Sequence, residues 1–277
     1  MNMTRFNPSK LGRSFLSVIA VVLVALLVAG VPVLARDNAA HFDRRPTIVL
    51  VHGAWADASG WNRVVAELRD DGFKTVAPTL DLNSIDGDVA IVRAALDRIP
   101  GKKILVAHSY GGIVISNAAY GRSDVLGLVY SAAFVPDAGD SIVSLGQGFV
   151  QSEALNHLIF TGEPFASPAY IDPAFFPQYF AQDLSPRLAA KLNAAQLPIN
   201  APILFTPSGL VAWHTLPSWY AVSGSDLIID PAEQRWMAAR AGATTITFNN
   251  ASHIGGIVAH ADGFTALIEK AVRVTSR

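Results

Sequence analysis

The sequence predicts an α/β fold, in which helices flank an open, mostly parallel sheet. Strand-like and helix-like segments alternate from residue 47 to residue 134, and the alternation returns after residue 217. The strand-like runs are almost continuously apolar, as in 125–134, which is typical of parallel strands covered by helices on both faces. With 277 residues, the chain has the length of one large domain or of one domain with an insertion.

The first half of this alternation contains four predicted strands and three predicted helices. Between residues 85 and 99, apolar side chains recur every three or four positions, which predicts one apolar helix face that ends at Pro100 and Gly101. A short β-branched run begins at Thr47 and ends at His52, which favours a strand. The predicted strands are 47–52, 74–80, 103–108 and 125–134, and the predicted helices are 61–68, 85–99 and 111–119.

A different composition marks the stretch 135–217. Ten of the 16 prolines and seven of the 14 phenylalanines lie between Pro136 and Pro217, whereas only six charged residues lie between Ser141 and Leu216. The stretch is too long for a loop and too apolar for a flexible linker, so it is predicted to be an inserted lid of short helices. Six of its aromatic side chains are expected to cover an apolar pocket, much of the same set is also expected to form the core of the lid, and the sequence does not separate the two roles: Phe160, Phe175, Phe176, Tyr179, Phe180 and Trp213.

The alternation of strand and helix then completes the core. Strands are predicted at 218–223 and 244–248, with a helix at 231–241 between them. A closing helix places Phe264, Leu267, Ile268 and Ala271 on one face. The predicted organisation is therefore a core of residues 36–134 and 218–277 with the insertion between its two parts.

Composition excludes several classes of protein. The chain has no cysteine, so disulfide-built mini-proteins, thiolate metal sites, iron–sulfur proteins and cysteine nucleophiles are ruled out. Lys+Arg number 21 against 22 Asp+Glu, a balance that argues against binding of nucleic acids, because phosphate neutralisation takes clustered cations. Neither a metal nor another cofactor is predicted, and the oligomeric state is not predicted.

The N-terminal segment has the pattern of a secretory signal peptide at residues 1–35. Basic residues precede the apolar run Phe15–Gly30, and Val33 and Ala35 occupy the −3 and −1 places of a cleavage site. The expected location is therefore the periplasm or the exterior of the cell. The alternative is a membrane anchor at 11–34, because an apolar stretch with these wider bounds approaches the roughly 20 residues that are needed to span a bilayer.

The strongest motif lies between the third predicted strand and its helix. The residues Ala107-His108-Ser109-Tyr110-Gly111-Gly112 (AHSYGG) resemble the G-x-S-x-G nucleophile elbow, with alanine in the first glycine place. A small residue is needed there because the turn is tight. Ser109 is expected at the apex, with its hydroxyl exposed above the positive end of the helix. His108 points to the opposite face of the strand and is expected to be structural.

A second spot follows the first predicted strand. A turn at His52-Gly53 can direct the backbone N–H of Ala54 toward the same point as the N–H of Tyr110, which would form a two-donor oxyanion hole. The imidazole of His52 is expected to hydrogen-bond loop backbone. Trp55 and Trp61 are expected to be packing residues.

The third spot supplies a base and a carboxylate. A serine hydroxyl needs a neutral imidazole within hydrogen-bond reach, and His253 follows the last predicted strand. The imidazole needs a carboxylate on its other nitrogen, and Asp226 follows the preceding strand. Asp230 competes for this role but, standing before Pro231, better suits the N-cap of the next helix. His260 is expected to be a surface or capping residue.

The chain order of the nucleophile Ser109, the acid Asp226 and the base His253 resembles the order of the catalytic triad in the α/β-hydrolase superfamily. The quoted stretches are similar to the bacterial branch related to plant methylesterases and hydroxynitrile lyases: VLVHGAWADASGW, LVAHSYGG, PSWYAVSGSD and ASH. The resemblance implies an α/β-hydrolase fold with a helical lid, a metal-free Ser-His-Asp triad and esterase activity on small or apolar esters. Two departures are Ala107 in place of the commoner glycine and a glycine-rich loop at 253–256.

The function predicted from these features is hydrolysis of a small-molecule ester through an acyl-enzyme. A hydroxynitrile lyase is the first alternative, but the plant lyases carry a lysine after the base histidine, where this chain has Ile254. A serine at position 109 excludes the carboxylate nucleophile of haloalkane dehalogenases and epoxide hydrolases. The second alternative is a non-catalytic binding protein that keeps the fold.

Overall fold

The computed structural model describes residues 45–276, and its centre is a parallel sheet. The strands of this region are β1 (Thr47–Val51), β2 (Thr75–Val76), β3 (Lys103–His108), β4 (Val125–Ser131), β5 (Leu158–Phe160), β6 (Pro168–Ile171), β7 (Ile199–Asn200), β8 (Ser218–Ser223) and β9 (Thr244–Phe248). Six of these strands pair in the order β2-β1-β3-β4-β8-β9, and every pairing is parallel. The predicted α/β fold with a mostly parallel open sheet is confirmed.

The register of the sheet aligns the two strands that precede the predicted serine and amide sites. Val49 pairs with Leu105 between β1 and β3, and Leu105 pairs with Leu128 between β3 and β4. All three side chains are fully buried, as expected for strands covered on both faces. Because the strands are parallel, the loops after β1 and β3 leave the sheet at the same edge.

Helices cover both faces of this sheet. The helices of the described region, including those of the stretch between β4 and β8, are α1 (Asn62–Asp70), α2 (Ile85–Arg98), α3 (Gly111–Ala118), α4 (Ile142–Leu145), α5 (Phe176–Tyr179), α6 (Pro186–Ala194), α7 (Pro231–Arg240), α8 (Gly255–Val258) and α9 (Ala261–Thr275). The predicted apolar face of the closing helix is confirmed, because Phe264, Leu267, Ile268 and Ala271 are buried. Trp61 stacks on Phe264 at 6.1 Å between ring centroids, in the packing role predicted for it.

Two predicted strands are shorter in the structure. The run 74–80 forms only β2, because Pro78 lacks a backbone N–H and the N–H of Leu80 donates to the His52 imidazole instead of to a strand. The run 125–134 ends at Ser131. Ala132 turns the chain with φ of 42°, and the next amide donates to the Tyr220 hydroxyl.

The stretch between β4 and β8 contains more than the predicted short helices. Helices α4, α5 and α6 are present, but β5, β6 and β7 form an additional antiparallel sheet that was not predicted. These strands have two to four residues, too few to produce a clear alternation in the sequence. The residues 135–217 are called the inserted segment below, and their role as a lid stays a prediction.

The N-terminal predictions concern residues that the structure does not describe. The signal peptide at 1–35 and the alternative anchor at 11–34 both lie outside the described region. Within residues 45–276, no helix combines the length and the apolar character needed to cross a bilayer.

Candidate active site

Ser109 occupies a strained turn between β3 and α3. Its φ is 56°, in the left-handed region that a residue with a Cβ rarely adopts, as expected for a nucleophile elbow. Ala107 is fully buried in β3, paired with Val51 of β1, so a methyl group fits in the first glycine place of the motif. The close approach of the chain after the serine explains Gly111, where a Cβ would lie 2.7 Å from the carbonyl oxygen of His52.

The three predicted side chains meet in one hydrogen-bonded chain. His253 Nε2 lies 2.9 Å from Ser109 Oγ, and His253 Nδ1 lies 2.8 Å from Asp226 Oδ2. The carboxylate can only accept, so Nδ1–H donates to it, and the serine hydroxyl donates to Nε2. All three residues are buried, at 4% exposure or less. This arrangement prepares the imidazole to take the serine proton.

Four donors hold the Asp226 carboxylate in place. Its Oδ1 accepts from the backbone N–H groups of Ile228 and Ile229, at 2.7 and 3.0 Å. Its Oδ2 accepts from the Gln234 side-chain amide at 2.7 Å in addition to His253. Gln234 is itself fixed, because its Oε1 accepts from the backbone N–H of Ser223 at 3.0 Å. Sequence reasoning missed Gln234, since nothing in its pattern separates it from an ordinary helix residue.

Asp230, the competing carboxylate, lies at the N-terminus of α7. Its Oδ1 accepts from the backbone N–H of Ala232 at 2.8 Å, as an N-cap does. Its Oδ2 accepts from the N–H of Val150 in the inserted segment at 3.0 Å. The structure therefore brings Asp226, and not Asp230, to His253.

His108 supports the loop of His253 from behind. Its Nε2–H donates to the backbone carbonyl of His253 at 2.9 Å, so the ring is protonated on Nε2. Burial, followed by the nearby His253, lowers the pKa of His108 well below its ordinary value. A ring that stays neutral adds no competing charge beside the base, in agreement with the structural role predicted for it.

The inserted segment also contacts the loops that carry His253 and Asp226. The Asp183 carboxylate accepts from the backbone N–H of Ser252 at 3.1 Å, and the carbonyl of Phe180 accepts from the N–H of Ile254 at 3.2 Å. The Phe180 ring meets the His253 ring edge-on at 4.8 Å between centroids. A Cβ on Gly255 would collide with the Asp183 carboxylate.

His52 anchors the loop that carries the first predicted amide donor. The N–H of Leu80 donates to His52 Nε2 at 2.9 Å, so the ring proton resides on Nδ1 and is donated to the Gly53 carbonyl at 2.9 Å. Burial lowers the pKa of His52, which keeps this tautomer neutral. The backbone-binding role predicted for the imidazole is what the structure shows.

The two predicted oxyanion donors lie beside Ser109 at one cavity. Ala54 and Tyr110 line this cavity together with the serine. Within residues 45–276, the backbone N–H of neither residue donates to another protein group, so both amides are free to bind a ligand oxygen. The geometry is compatible with the proposed two-donor hole.

A buried carboxyl group that was not predicted fixes the side chain of Tyr110. The Tyr110 hydroxyl donates to Asp88 Oδ2 at 2.7 Å, and Asp88 Oδ1 accepts from the backbone N–H groups of Asp81 and Leu82. Burial raises the pKa of the Asp88 carboxyl. The sequence signal that could have identified Asp88 is its position three residues after Ile85, which places an acidic residue on the buried face of α2.

The cavity beside Ser109 has a volume of about 90 Å³ and a mostly apolar wall. The inserted segment contributes mainly aliphatic side chains to it: Ile142, Val143, Val150, Leu155, Ile199 and Leu204. Of the two roles predicted for the six aromatic residues, covering this pocket is wrong, because none of them lines it, whereas packing in a core agrees with the structure. They pack against other rings instead, as Phe176 does on Phe180 at 4.6 Å, since large rings are needed to fill the inserted segment's own core.

Trp55 lines the cavity as well as packing within the protein. Its Nε1–H donates to the carbonyl of Ala169 in β6 at 3.1 Å, and it is 5% exposed. Its φ of 56° turns the chain directly after Ala54. The packing role predicted for Trp55 therefore coexists with a place in the cavity wall.

Gly53→Ala is expected to disturb the site, because an added Cβ would lie 2.6 Å from Ser109 Cβ. A displacement of the elbow by about 1 Å should lower kcat roughly 100-fold. Gly60→Ala is the matched control, since its Cβ would meet Ile254 at an ordinary 3.7 Å. Ester-hydrolysis kinetics and urea unfolding of both variants test this; equal activity in the two would contradict it.

Glu233 makes the unfolding free energy depend on pH. Burial, with the charges of Asp230 and Asp226, raises the pKa of this carboxyl from its ordinary 4.5 to about 7. The folded state therefore holds a proton that the unfolded chain loses, so the stabilisation is complete below pH 4.5 and is lost as pH rises through about 7.

Glu233→Gln should remove this pH dependence. Relative to the unsubstituted protein, the variant should gain at most about 3 kcal/mol in unfolding free energy between about pH 4.5 and pH 8. Urea unfolding of both proteins at the two pH values measures the gain. A difference between the two proteins that does not change with pH would show that the carboxyl titrates normally.

Comparison with known proteins gives esterases among the relatives. A carbendazim hydrolyzing esterase of Nocardioides sp. (strain SG-4G) is 35% identical over 114 residues, which are 35% of this chain and 46% of the esterase, so the match spans less than half of that relative. Esterase PIR7B of Oryza sativa subsp. japonica is 26% identical over 230 residues, covering 71% of this chain and 83% of the rice protein.

A solved structure shows the same fold, and a family match covers most of the chain. The crystal structure of polyneuridine aldehyde esterase superposes with a TM-score of 0.71 at 18% sequence identity, covering 82% of this chain and 99% of the other. Residues 48–267 match the alpha/beta hydrolase family. Since this match includes most of β1, the serine elbow, the inserted segment and His253, the chain belongs to the alpha/beta hydrolase family.

Proposed function

We propose that this protein is a serine hydrolase that cleaves small or apolar carboxylic esters through an acyl-enzyme. The observation that carries the proposal is the unbroken chain from Ser109 to His253 to Asp226, with separations of 2.9 and 2.8 Å. The named activities of the relatives, which include esterases from a bacterium and from rice, support ester hydrolysis.

In the first half of the reaction, the Ser109 hydroxyl attacks the ester carbonyl as His253 takes its proton. Asp226 stabilises the resulting imidazolium and keeps the ring in the orientation in which Nε2 faces the serine. The negative charge that develops on the carbonyl oxygen is stabilised by the N–H groups of Ala54 and Tyr110. Collapse of the tetrahedral intermediate expels the alcohol, which leaves with the proton from His253.

The second half uses the same groups on water. His253, neutral again, removes a proton from the water that attacks the acyl carbonyl. The oxyanion is again stabilised by the amides of Ala54 and Tyr110. His253 returns the proton to Ser109 as the carboxylic acid leaves, so no cofactor is consumed.

The cavity dimensions support a preference for small groups. Its volume of about 90 Å³ is below the roughly 150 Å³ of an engineered protein cavity that binds benzene. The aliphatic part of its wall favours hydrocarbon groups. A short acyl or alkyl group therefore fits without rearrangement of the inserted segment.

The proposal is tested with the full chain, a serine-reactive phosphonate and a series of 4-nitrophenyl esters of increasing acyl length. We expect the phosphonate to modify the peptide that contains Ser109, once per chain, and the highest kcat/KM on short acyl groups. Modification at Ser59, Ser141 or Ser252 would overturn the nucleophile. Absence of both modification and ester hydrolysis would favour the non-catalytic alternative.

A further inference from the structure

Glu233 is a charged residue in the wall of an otherwise apolar cavity. It lies on α7, which follows the Asp226 loop, and it is 4% exposed. Among the described residues that line the cavity beside Ser109, it is the only one with a formal charge. Glu233 is therefore part of the wall of the cavity in which the proposed hydrolysis would place its substrate.

The Glu233 carboxyl group has no hydrogen-bond partner among residues 45–276. Its Oε1 is buried and makes no hydrogen bond within residues 45–276. A buried polar group without a partner is costly, so it needs a reason that packing alone does not supply. A donor on a ligand that approaches the Glu233 carboxyl group would satisfy it.

The neighbouring charged groups are acidic and already engaged. The Asp226 carboxylate accepts from His253, Gln234 and two backbone amides, whereas Asp230 accepts from Ala232 and Val150. Both aspartates act on Glu233 through their negative charge. This wall of the cavity therefore has a negative potential, with Glu233 as its free acceptor.

We propose that Glu233 is a specificity-determining residue that selects esters bearing a basic amino group. The protonated amine would donate to the Glu233 carboxylate while the ester carbonyl lies at Ser109. The same charge disfavours esters that carry a carboxylate. This inference rests on the proposed function, since it needs Ser109 to act on an ester.

The ionisation of Glu233 gives the selection a pH dependence. Its pKa of about 7 means that the carboxylate form becomes dominant as pH rises from about 6 to about 7.5. Preference for an ammonium-bearing ester over a neutral one should increase over this range. Because His253 serves both substrates equally, the ratio of their kcat/KM values isolates the contribution of Glu233.

The test compares esters of equal shape. One pair, 2-(dimethylamino)ethyl acetate and 3-methylbutyl acetate, places the amine or its hydrocarbon counterpart on the alcohol side. A second pair, methyl 3-(dimethylamino)propanoate and methyl 4-methylpentanoate, places it on the acyl side. We expect the amine ester to be preferred in at least one pair, with a preference that rises from about pH 6 to about pH 7.5.

Glu233→Gln should lower this preference roughly 10- to 100-fold and make it independent of pH. Glu269→Gln, which removes an equal charge from a surface ion pair on α9, should leave the preference unchanged. Should Glu233→Gln not fold, the pH dependence of the ratio in the unsubstituted protein still tests the inference.

Other outcomes overturn the inference in distinguishable ways. If the protein hydrolyses the neutral esters without preferring their amine counterparts, Glu233 does not select amines and the proposed function survives. If Glu233→Gln changes both members of each pair equally, Glu233 acts on the triad and not on the substrate. If Ser109→Ala hydrolyses the neutral esters as fast as the unsubstituted protein, the proposed function itself fails, and the inference with it.

Discussion

Ser109→Ala is expected to lower kcat for ester hydrolysis by roughly 10⁴- to 10⁶-fold, because the variant lacks the oxygen that attacks the carbonyl. The hydroxyl's hydrogen bond to His253 is lost, but the methyl group remains at the strained elbow. The fold should therefore persist. Steady-state kinetics on a short 4-nitrophenyl ester, together with urea unfolding, separate the two properties.

Ser59→Ala is the matched control for this experiment. Ser59 donates its hydroxyl to Asp57 in the loop before α1, apart from the hydrogen-bonded chain of Ser109 and His253. Turnover should be unchanged in this variant. Activity in Ser109→Ala close to that of the control would place the nucleophile elsewhere in the chain.

Asp226→Asn is expected to lower kcat by up to about 10⁴-fold. Each oxygen of the Asp226 carboxylate accepts two donors, from the amides of residues 228 and 229 or from His253 and Gln234. Wherever the NH₂ group of the asparagine replaces one of these oxygens, it would face N–H groups that also donate, so those hydrogen bonds would be lost. If it faces His253, the ring proton moves to Nε2, and the imidazole can no longer accept the serine proton.

Asp230→Ala should have the opposite profile. It removes the N-cap of α7 and should cost about 1 kcal/mol of unfolding free energy, with little change in kcat. Kinetics and urea unfolding of both aspartate variants measure the contrast. An inactive Asp230 variant beside a nearly normal Asp226→Asn would exchange the roles of the two carboxylates, while Ser109 and His253 would keep theirs.

The positions of Ser109, Asp226 and His253 could be predicted because each lies in the loop that follows a strand of one parallel sheet. Parallel strands deliver such residues to a common edge, so chain order and strand assignment suffice. The residues that orient the site, Gln234 and Asp88, have no comparable pattern in the sequence. Gln234 and Asp88 act through contacts set by how α7 and α2 pack, which a single sequence does not reveal.

The inserted segment was harder to predict than the core. Its high phenylalanine content suggested a cavity wall, but a large ring fills space, so the rings pack among themselves while aliphatic chains line the cavity. Its strands are held by pairing with each other over few residues, as Leu158 is with Ile171. Such short pairings depend on tertiary contacts rather than on local pattern.

The contact between Asp183 and the His253 loop limits how this protein can be recombined with its relatives. Asp183 belongs to the inserted segment, yet its carboxylate accepts from Ser252 and occupies the space that a side chain at Gly255 would need. A chimaera that exchanges the segment alone would leave the base loop without this support. An exchange that includes residues 252–255 together with the segment would transfer both sides of the contact. The two stretches should therefore be exchanged together, although some 70 residues separate Asp183 from Ser252.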